Sequence, residues 1–448
     1  MHFVGVAGAG MSALAELLAG RGVRVTGCDA NPPNGSELAT LGIAVSVGHD
    51  PAHAVGAAAL VVTSAMPQQH PELMRARELG VPVIRRAEAL AQAIAVGDTI
   101  GIAGTHGKTT TTAMTTEALA AAGLDPTGIA GGRVALWGGN LRRGKEELFV
   151  VEADEYDRSF LALSPRIAVV TNIEADHLDI YRDLADIRGA FAQFVGGARS
   201  IVLCADDSGA NTLPLPASAE VVRYGVDSPD ARLLAREVVA GGGGTAFTVL
   251  FDGEPQTRVQ LAVPGRHNVL NALAALGVGL SLGADPARMA LGLAAFRGVE
   301  RRFERLGEAR GITVVDDYAH HPTEIRATLE AARASFPGRR LVAAFQPHLF
   351  TRTRDFATEF GQALAASDLV FLTEIYPARE QPIAGVTAGL VADAARQAGA
   401  TLAWRGPRGE LAAALAGAVR DGDVVITLGA GDITRTGKEL LAQLAAPA

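Results

Sequence analysis

The sequence predicts an α/β fold in three domains, each a largely parallel sheet with helices packed on both faces. Three observations carry that expectation. Short apolar runs alternate with alanine- and leucine-rich stretches of helical length along the whole chain, the pattern of repeated βα units. The first run leads directly into a glycine turn, Gly8-Ala9-Gly10-Met11-Ser12, and then a helical stretch. A second glycine loop, GIAGTHGKTTTT from Gly101 to Thr112, again joins an apolar strand to a helix.

Composition narrows the class. With 448 residues, 48% of them hydrophobic and 20% charged, the chain can bury several cores. A net charge of −8 with scattered basic residues argues against a nucleic-acid partner. Cys28 and Cys204 lie far apart without metal-ligand spacing, which gives no support to a disulfide scaffold or a zinc centre and suits two buried thiols in a reducing compartment. The start of the chain carries no signal core, and no apolar run reaches membrane-spanning length, so a cytoplasmic protein without a membrane partner is expected.

In order along the chain, the first unit has a strand over 2–6, the glycine turn and a helix. A second strand, VRVTGCD, ends at Asp29, and further strands are expected at 59–63 and 81–84. Glycines followed about 20 positions later by an acidic residue fit the nucleotide-binding fingerprint of a Rossmann-like unit. Residues 96–98 read as a linker, setting domain limits of 1–97, 98–298 and 299–448. The central unit has strands at 148–151 and 167–171, a glycine turn at 241–244 and a helix opening at His267. The last has strands at 312–315, 341–345, 369–373 and 424–428.

The loop Gly104-Thr105-His106-Gly107-Lys108-Thr109-Thr110 is phosphate-binding chemistry. Small residues let backbone N–H groups point at phosphate oxygens, Lys108 can reach terminal phosphates, and the hydroxyl of Thr109 or Thr110 can ligate magnesium. It is a variant loop, with Ile102 where the usual pattern has its first glycine. The apolar run LFVV then ends abruptly at Glu152, a carboxylate placed where magnesium is held beside such a loop. Asp154, Glu155 and Asp157 follow without an assigned role. Asn172, Glu174, Asp176 and His177 follow the next buried run, and His177 suits a second magnesium.

The helix opening at His267 places Asn268 and Asn271 on one face, where amides suit adenine edges. Arg301, Arg302, Asp316, Asp317, Tyr318, His320 and His321 cluster at a strand end in the last unit. A basic residue there could neutralise a γ-phosphate, and an aspartate could contact ribose or orient the base. His348 and Arg352, four apart, suit a carboxylate ligand.

Together GTHGKTTT, EADEYDRSF, TNIEADHLD, GRHNVLNALAAL, RRFE, DDYAHHPTE, QPH and GAGD, in this order, resemble the Mur ligase family along the whole chain. The resemblance implies a Rossmann-like N-terminal UDP-binding domain, a central P-loop ATPase domain and a C-terminal Rossmann-like α/β domain. It also implies an ATP- and Mg2+-dependent amide-forming ligase of peptidoglycan synthesis, a monomer or homodimer. The motifs sit nearest the branch that joins L-alanine to the carboxylate of UDP-N-acetylmuramate through an acyl phosphate. On that reading Gly8, Ala9, Gly10, Met11, Ser12, Asp29 and Ser64 serve the UDP sugar. Lys108 contacts the β- and γ-phosphates, Thr109 and Glu152 hold one magnesium, and His177 holds the second. Asn268 and Asn271 lie against adenine, Arg302 and Asp317 serve the nucleotide from the third domain, and Tyr318, His348 and Arg352 surround the alanine.

The chain departs from the family pattern at Ala7, His70, Ala319 and the pair Leu349-Phe350, the last beside the amino-acid residues. The alternatives are a murein tripeptide ligase, which attaches a recycled peptide to the same carboxylate, and a non-ligase nucleotide-binding protein.

Overall fold

The computed structural model describes residues 1–32, 37–63, 66–241 and 244–446. Two compact units result: one of Met1–Glu237, Phe247–Gln260 and Leu270–Arg297, the other of Val238–Ala246, Leu261–Val269 and Gly298–Ala448. The architecture is α/β throughout, with three sheets.

The first sheet contains β1 (His2–Val4), β2 (Thr26–Asp29), β3 (Ala44–Val47), β4 (Leu60–Val62) and β5 (Val83–Arg85) in the order β3-β2-β1-β4-β5. All four pairings are parallel, and the strand order reverses at β1. That reversal opens a crevice at the C-terminal end of β1, where the glycine turn and the helix Ala9–Gly20 begin. The helix buries Met11, Leu14 and Leu17 on one side of the sheet. On the other side the helix Pro71–Leu79 and a 3₁₀ turn at Pro51–Ala54 cover Val4, Cys28, Leu60 and Val62. The first strand is shorter than expected because Gly5, at φ +78°, turns the chain after Val4. β3 escaped the sequence reading because three of its four residues are exposed, leaving no apolar run.

The central sheet takes in β6 (Asp98–Ala103), β7 (Thr127–Val134), β8 (Gly139–Arg142), β9 (Leu148–Glu152), β10 (Ile167–Val170), β11 (Ser200–Cys204), β12 (Glu220–Gly225), β13 (Leu233–Gly241), β14 (Gly244–Phe251) and β15 (Glu254–Leu261). Its order is β15-β14-β13-β12-β11-β10-β6-β9-β7-β8. β6 lies parallel to both β9 and β10, so the loops after these three strands meet at one edge. β10 and β11 are buried at every residue, which explains their unbroken apolar runs. Asp98, read from sequence as linker, is the first residue of β6: its backbone N–H bonds to Glu147 and its side chain faces water.

The third sheet comprises β16 (Glu304–Ala309), β17 (Ile312–Asp317), β18 (Leu341–Phe345), β19 (Leu369–Thr373), β20 (Leu402–Gly406) and β21 (Val424–Leu428), in the order β16-β17-β21-β18-β19-β20. Only β16 is antiparallel to its neighbour. Cys28 and Cys204 are buried free thiols. Among the described residues no helix is long and apolar enough to cross a membrane.

Candidate functional site

The phosphate loop is held open by its neighbours. Gly104 and Gly107 have φ of +139° and +82°, conformations side-chain-bearing residues resist, and Lys108 is the first residue of the helix Lys108–Ala121. Asn172, at the end of β10, clamps the loop twice: its Oδ1 accepts the His106 N–H at 2.7 Å and its Nδ2 donates to the His106 carbonyl at 3.1 Å. The Thr171 hydroxyl donates to that same carbonyl, and the Thr105 hydroxyl accepts the Glu174 N–H. Thr109 and Thr110 are buried in the first helical turn.

A Cβ added to Gly107 would meet Asn271 Oδ1 at 2.7 Å. Gly107→Ala should therefore both strain the backbone and push the loop from Asn271. ATP turnover is expected to fall about 100-fold, the penalty of a misplaced reacting group, with the thermal midpoint lowered only modestly. Steady-state phosphate release beside calorimetry checks this.

Lys108 does not project freely. Its Nζ donates to the Gly104 carbonyl at 2.7 Å, the Thr105 carbonyl at 3.3 Å and the Glu155 carboxylate at 2.7 and 3.0 Å. Burial pushes the Glu155 carboxyl up to about 7 against the pull of Lys108. Burial acts to lower Lys108, but Glu155 and Asp154 outweigh it and hold the ammonium protonated. The sequence reading left Glu155 without a role, since the pairing joins segments 47 residues apart.

Ligand atoms of Asp154, Glu155 and His177 lie within 4.8 Å of one another. His177, at φ +53°, places Nε2 3.9 Å from both Glu155 and Asp176. Glu152, at the end of β9, accepts the Gly131 N–H at 2.6 Å. The carboxylates of Asp154 and Glu155 with one imidazole beside a phosphate loop form a donor set that fits magnesium.

In the first sheet Asp29 ties itself to the glycine turn, its carboxylate accepting the N–H groups of Ala7 at 3.1 Å and Asn31 at 3.0 Å. Gly8 precedes the first turn of the helix Ala9–Gly20, and the Ser12 hydroxyl donates to the Ala9 carbonyl. Arg86 reaches this turn: a Cβ on Gly10 would stand 2.9 Å from its Nη1. A helix N-terminus beside a guanidinium is an anion site. Arg85, Arg86 and Arg158 line a cleft of about 230 Å³ with Asp154, Tyr156 and Asp157. The sequence reading missed all three arginines, which lie outside glycine motifs. Ser64 lies outside the described residues.

Asn268 and Asn271 share the helix Arg266–Ser281 but have different partners. Asn268 Nδ2 donates to the Pro264 carbonyl at 2.6 Å, while Asn271 Oδ1 accepts the Thr111 hydroxyl at 3.0 Å.

In the second unit, Asp316 and Asp317 at the end of β17 divide their work. Asp316 is consumed by internal bonds to Arg301, Thr427 and Thr434. Asp317 accepts the backbone N–H groups of Phe303 and Ala319, and burial raises it to about 6 despite Arg302 nearby. The guanidinium groups of Arg301 and Arg302 stand 4.8 and 4.9 Å from the centre of the Tyr318 ring, and Arg302 reaches Glu324 at 3.6 Å. Tyr318, His320, His348 and Tyr376 follow one another ring to ring at 5.1 to 5.8 Å.

His348 and Arg352 are not successive turns of one helix. The chain turns at Leu349, with φ +69° and ψ 140°, and the helix starts at Phe350. Arg352 is 6% exposed, not part of a solvated basic face. Glu380 accepts the N–H groups of Phe350 and Thr351, capping this short helix from a distant loop.

Burial, with Arg302 adding to it, pushes the partly buried His267 down to about 4. An unfolded chain binds that proton near its ordinary value, so stability held above about pH 6.5 is lost as the pH falls towards 4, by up to about 3 kcal/mol. His267→Gln should flatten the fall of the thermal midpoint between those limits, measured by calorimetry across pH.

Comparison with known proteins agrees along the chain. The Mur ligase family catalytic domain matches residues 1–97, the Mur ligase middle domain 102–279, and the Mur ligase glutamate ligase domain 301–431. The UDP-N-acetylmuramate--L-alanine ligase of Kineococcus radiotolerans is 48% identical, covering 99% of this chain and 96% of its own. That of Salinibacter ruber is 45% identical over 97% and 93%. Among solved structures, the UDP-N-acetylmuramate-alanine ligase of Thermotoga maritima has TM-score 0.84 at 30% identity, covering 99% of this chain and 98% of that one. A murein peptide ligase of Psychrobacter arcticus has TM-score 0.74 at 26% identity, covering 100% and 99%. A phosphate loop at the switch of one sheet, a glycine turn at the switch of another and matches along nearly the full length lead to one conclusion: the chain belongs to the Mur ligase family.

Proposed function

We propose that this protein joins L-alanine to the carboxylate of UDP-N-acetylmuramate with conversion of ATP to ADP and phosphate, in peptidoglycan precursor synthesis in the cytoplasm. The observation that carries the reading is full-length identity of 44 to 48% to relatives bearing that name. The geometry supports it. Three domains, 1–97, 98–298 and 299–448, serve the UDP sugar, ATP and the amino acid.

Lys108 and the N–H groups of the loop Gly104–Thr110 bind the phosphates and stabilise charge developing on them. Thr109, Glu152 and His177 hold magnesium, with Glu155 and Asp154 within reach of His177. The ion supplies charge neutralisation to the transferring phosphoryl group. The helix N-terminus at Gly8–Ser12, with Arg86, binds the diphosphate of the sugar, and Asp29 faces its nucleoside. Arg302 and Asp317 serve the nucleotide. Tyr318, His348 and Arg352 orient the amino acid, Arg352 through its carboxylate, so that the amine attacks an activated acyl group.

Phosphate release with ATP, Mg2+ and UDP-N-acetylmuramate tests the proposal, with L-alanine compared against the L-Ala-γ-D-Glu-diaminopimelate tripeptide. Turnover with alanine is expected. Turnover with the tripeptide alone would move the protein to the recycling branch.

A further inference from the structure

On the side of the first sheet opposite the helix Ala9–Gly20, four segments bring metal-ligating side chains to one point. His2 comes from β1, Cys28 from β2, His53 from the 3₁₀ turn Pro51–Ala54 and Glu72 from the first turn of the helix Pro71–Leu79. One ligand atom from each lies within 4.8 Å of every other. Cys28 Sγ stands 3.2 Å from Glu72 Oε1, and His53 Nδ1 stands 2.7 Å from the same oxygen.

The surroundings of Glu72 make the cluster unusual. Its side chain is fully buried, and among the described residues its only ion-pair partners are His49 and His53. The Asp50 N–H also donates to it. Among the described residues no arginine or lysine compensates this carboxylate, and burying one without a cation costs several kcal/mol. A position in a helical first turn offsets only a fraction of that.

His2 provides a second, independent sign. It is 3% exposed, its Nδ1 lies 2.9 Å from the Thr26 hydroxyl, and its Nε2 is buried with no hydrogen-bond partner. With the Nδ1 proton given to Thr26, Nε2 keeps its lone pair, the arrangement in which outer hydrogen bonds orient a metal-bound imidazole.

We propose that His2, Cys28, His53 and Glu72 form a structural zinc site, unconnected with the ligase reaction, that pins the 3₁₀ turn and the helix Pro71–Leu79 to the sheet. Two imidazole nitrogens, one thiolate and one carboxylate complete a tetrahedral set without an open position. Ligand-to-ligand edges of about 3.3 to 3.8 Å follow from zinc bond lengths, so the four atoms need to move by less than about 1 Å. His53, 20% exposed, gives the ion an entry path. His49 lies against the same thiol at 3.3 Å and packs edge-on to His70, an outer layer of imidazoles. The sequence showed no such centre because its ligands stand at positions 2, 28, 53 and 72, without the short paired spacings of zinc motifs.

The experiment uses the full chain freed of any histidine tag. Zinc analysis after dialysis should give about one zinc per chain, and cobalt substitution should give a thiolate-to-metal charge-transfer band with intense tetrahedral d–d bands. Cys28→Ser and His53→Ala should each lower zinc affinity by more than about 10-fold, whereas Cys204→Ser should keep the cobalt band. Folded wild-type protein that binds neither ion stoichiometrically would overturn the proposal. So would a charge-transfer band that survives in Cys28→Ser.

Discussion

Lys108→Ala is expected to lower ATP turnover by at least about 10³-fold while leaving UDP-N-acetylmuramate affinity unchanged. The ammonium is the cation on the loop itself, and the glycine turn assigned to the sugar diphosphate belongs to another sheet. The variant has a second consequence, because Lys108 is the counter-ion of Glu155, which is 3% exposed. Removing one member of a buried pair costs about 3 to 5 kcal/mol. Lys108→Ala combined with Glu155→Gln should therefore regain most of the lost stability and none of the turnover. Phosphate release, sugar binding by calorimetry and chemical denaturation separate these effects. Loss of sugar binding in a folded Lys108→Ala protein would sink the division of labour between the two domains.

The neighbouring arginines of the third domain should behave oppositely. Arg301 is bound into the fold, donating to Asp316 at 3.1 Å and to the Gly429 carbonyl at 2.6 Å. Arg302 stands over the Tyr318 ring and reaches the Glu324 carboxylate at 3.6 Å. Arg302→Ala is expected to lower kcat about 10³-fold, as loss of a cation that meets charge in the transition state does. Arg302→Lys should recover little, since an ammonium cannot reproduce the planar fork. Arg301→Ala should instead cost about 3 kcal/mol of stability, because Asp316 is 1% exposed and loses its cation. Kinetics and denaturation on the same samples decide it: equal kinetic losses in both would refute the assignment of Arg302.

What the sequence disclosed, and what it hid, follows from how far apart the cooperating residues lie. The α/β class was legible because buried parallel strands such as β10 must be apolar at every position, and the phosphate loop was legible because its glycines and lysine are contiguous. Glu152 and His177 stood out because polar residues break off apolar runs at strand ends. Partnerships across long separations left no trace. Glu155 with Lys108, Asn172 with His106, Arg86 beside Gly10 and Glu380 on the helix of Arg352 exist only once the strands are ordered. The exposed β3 had no pattern to read, and the backbone turn at Leu349 has no counterpart in that residue's chemistry. The resemblance singled out Asp317 for the nucleotide, and the hydrogen bonds of the structure show its neighbour Asp316 to be an internal brace.

The Lys108–Glu155 contact also makes the phosphate loop an ion exchanger. An anion that draws the ammonium away leaves a buried carboxylate needing a positive charge, so anion uptake is linked to uptake of a cation or a proton. Burial raises the Glu155 carboxyl even beside Lys108, so with the ammonium drawn away a proton can meet that need in neutral solution, and a metal ion takes over as the solution turns alkaline. By reciprocity the cation then tightens the anion as much as the anion tightens the cation, and metal-free nucleotide binding becomes weaker as the solution turns alkaline.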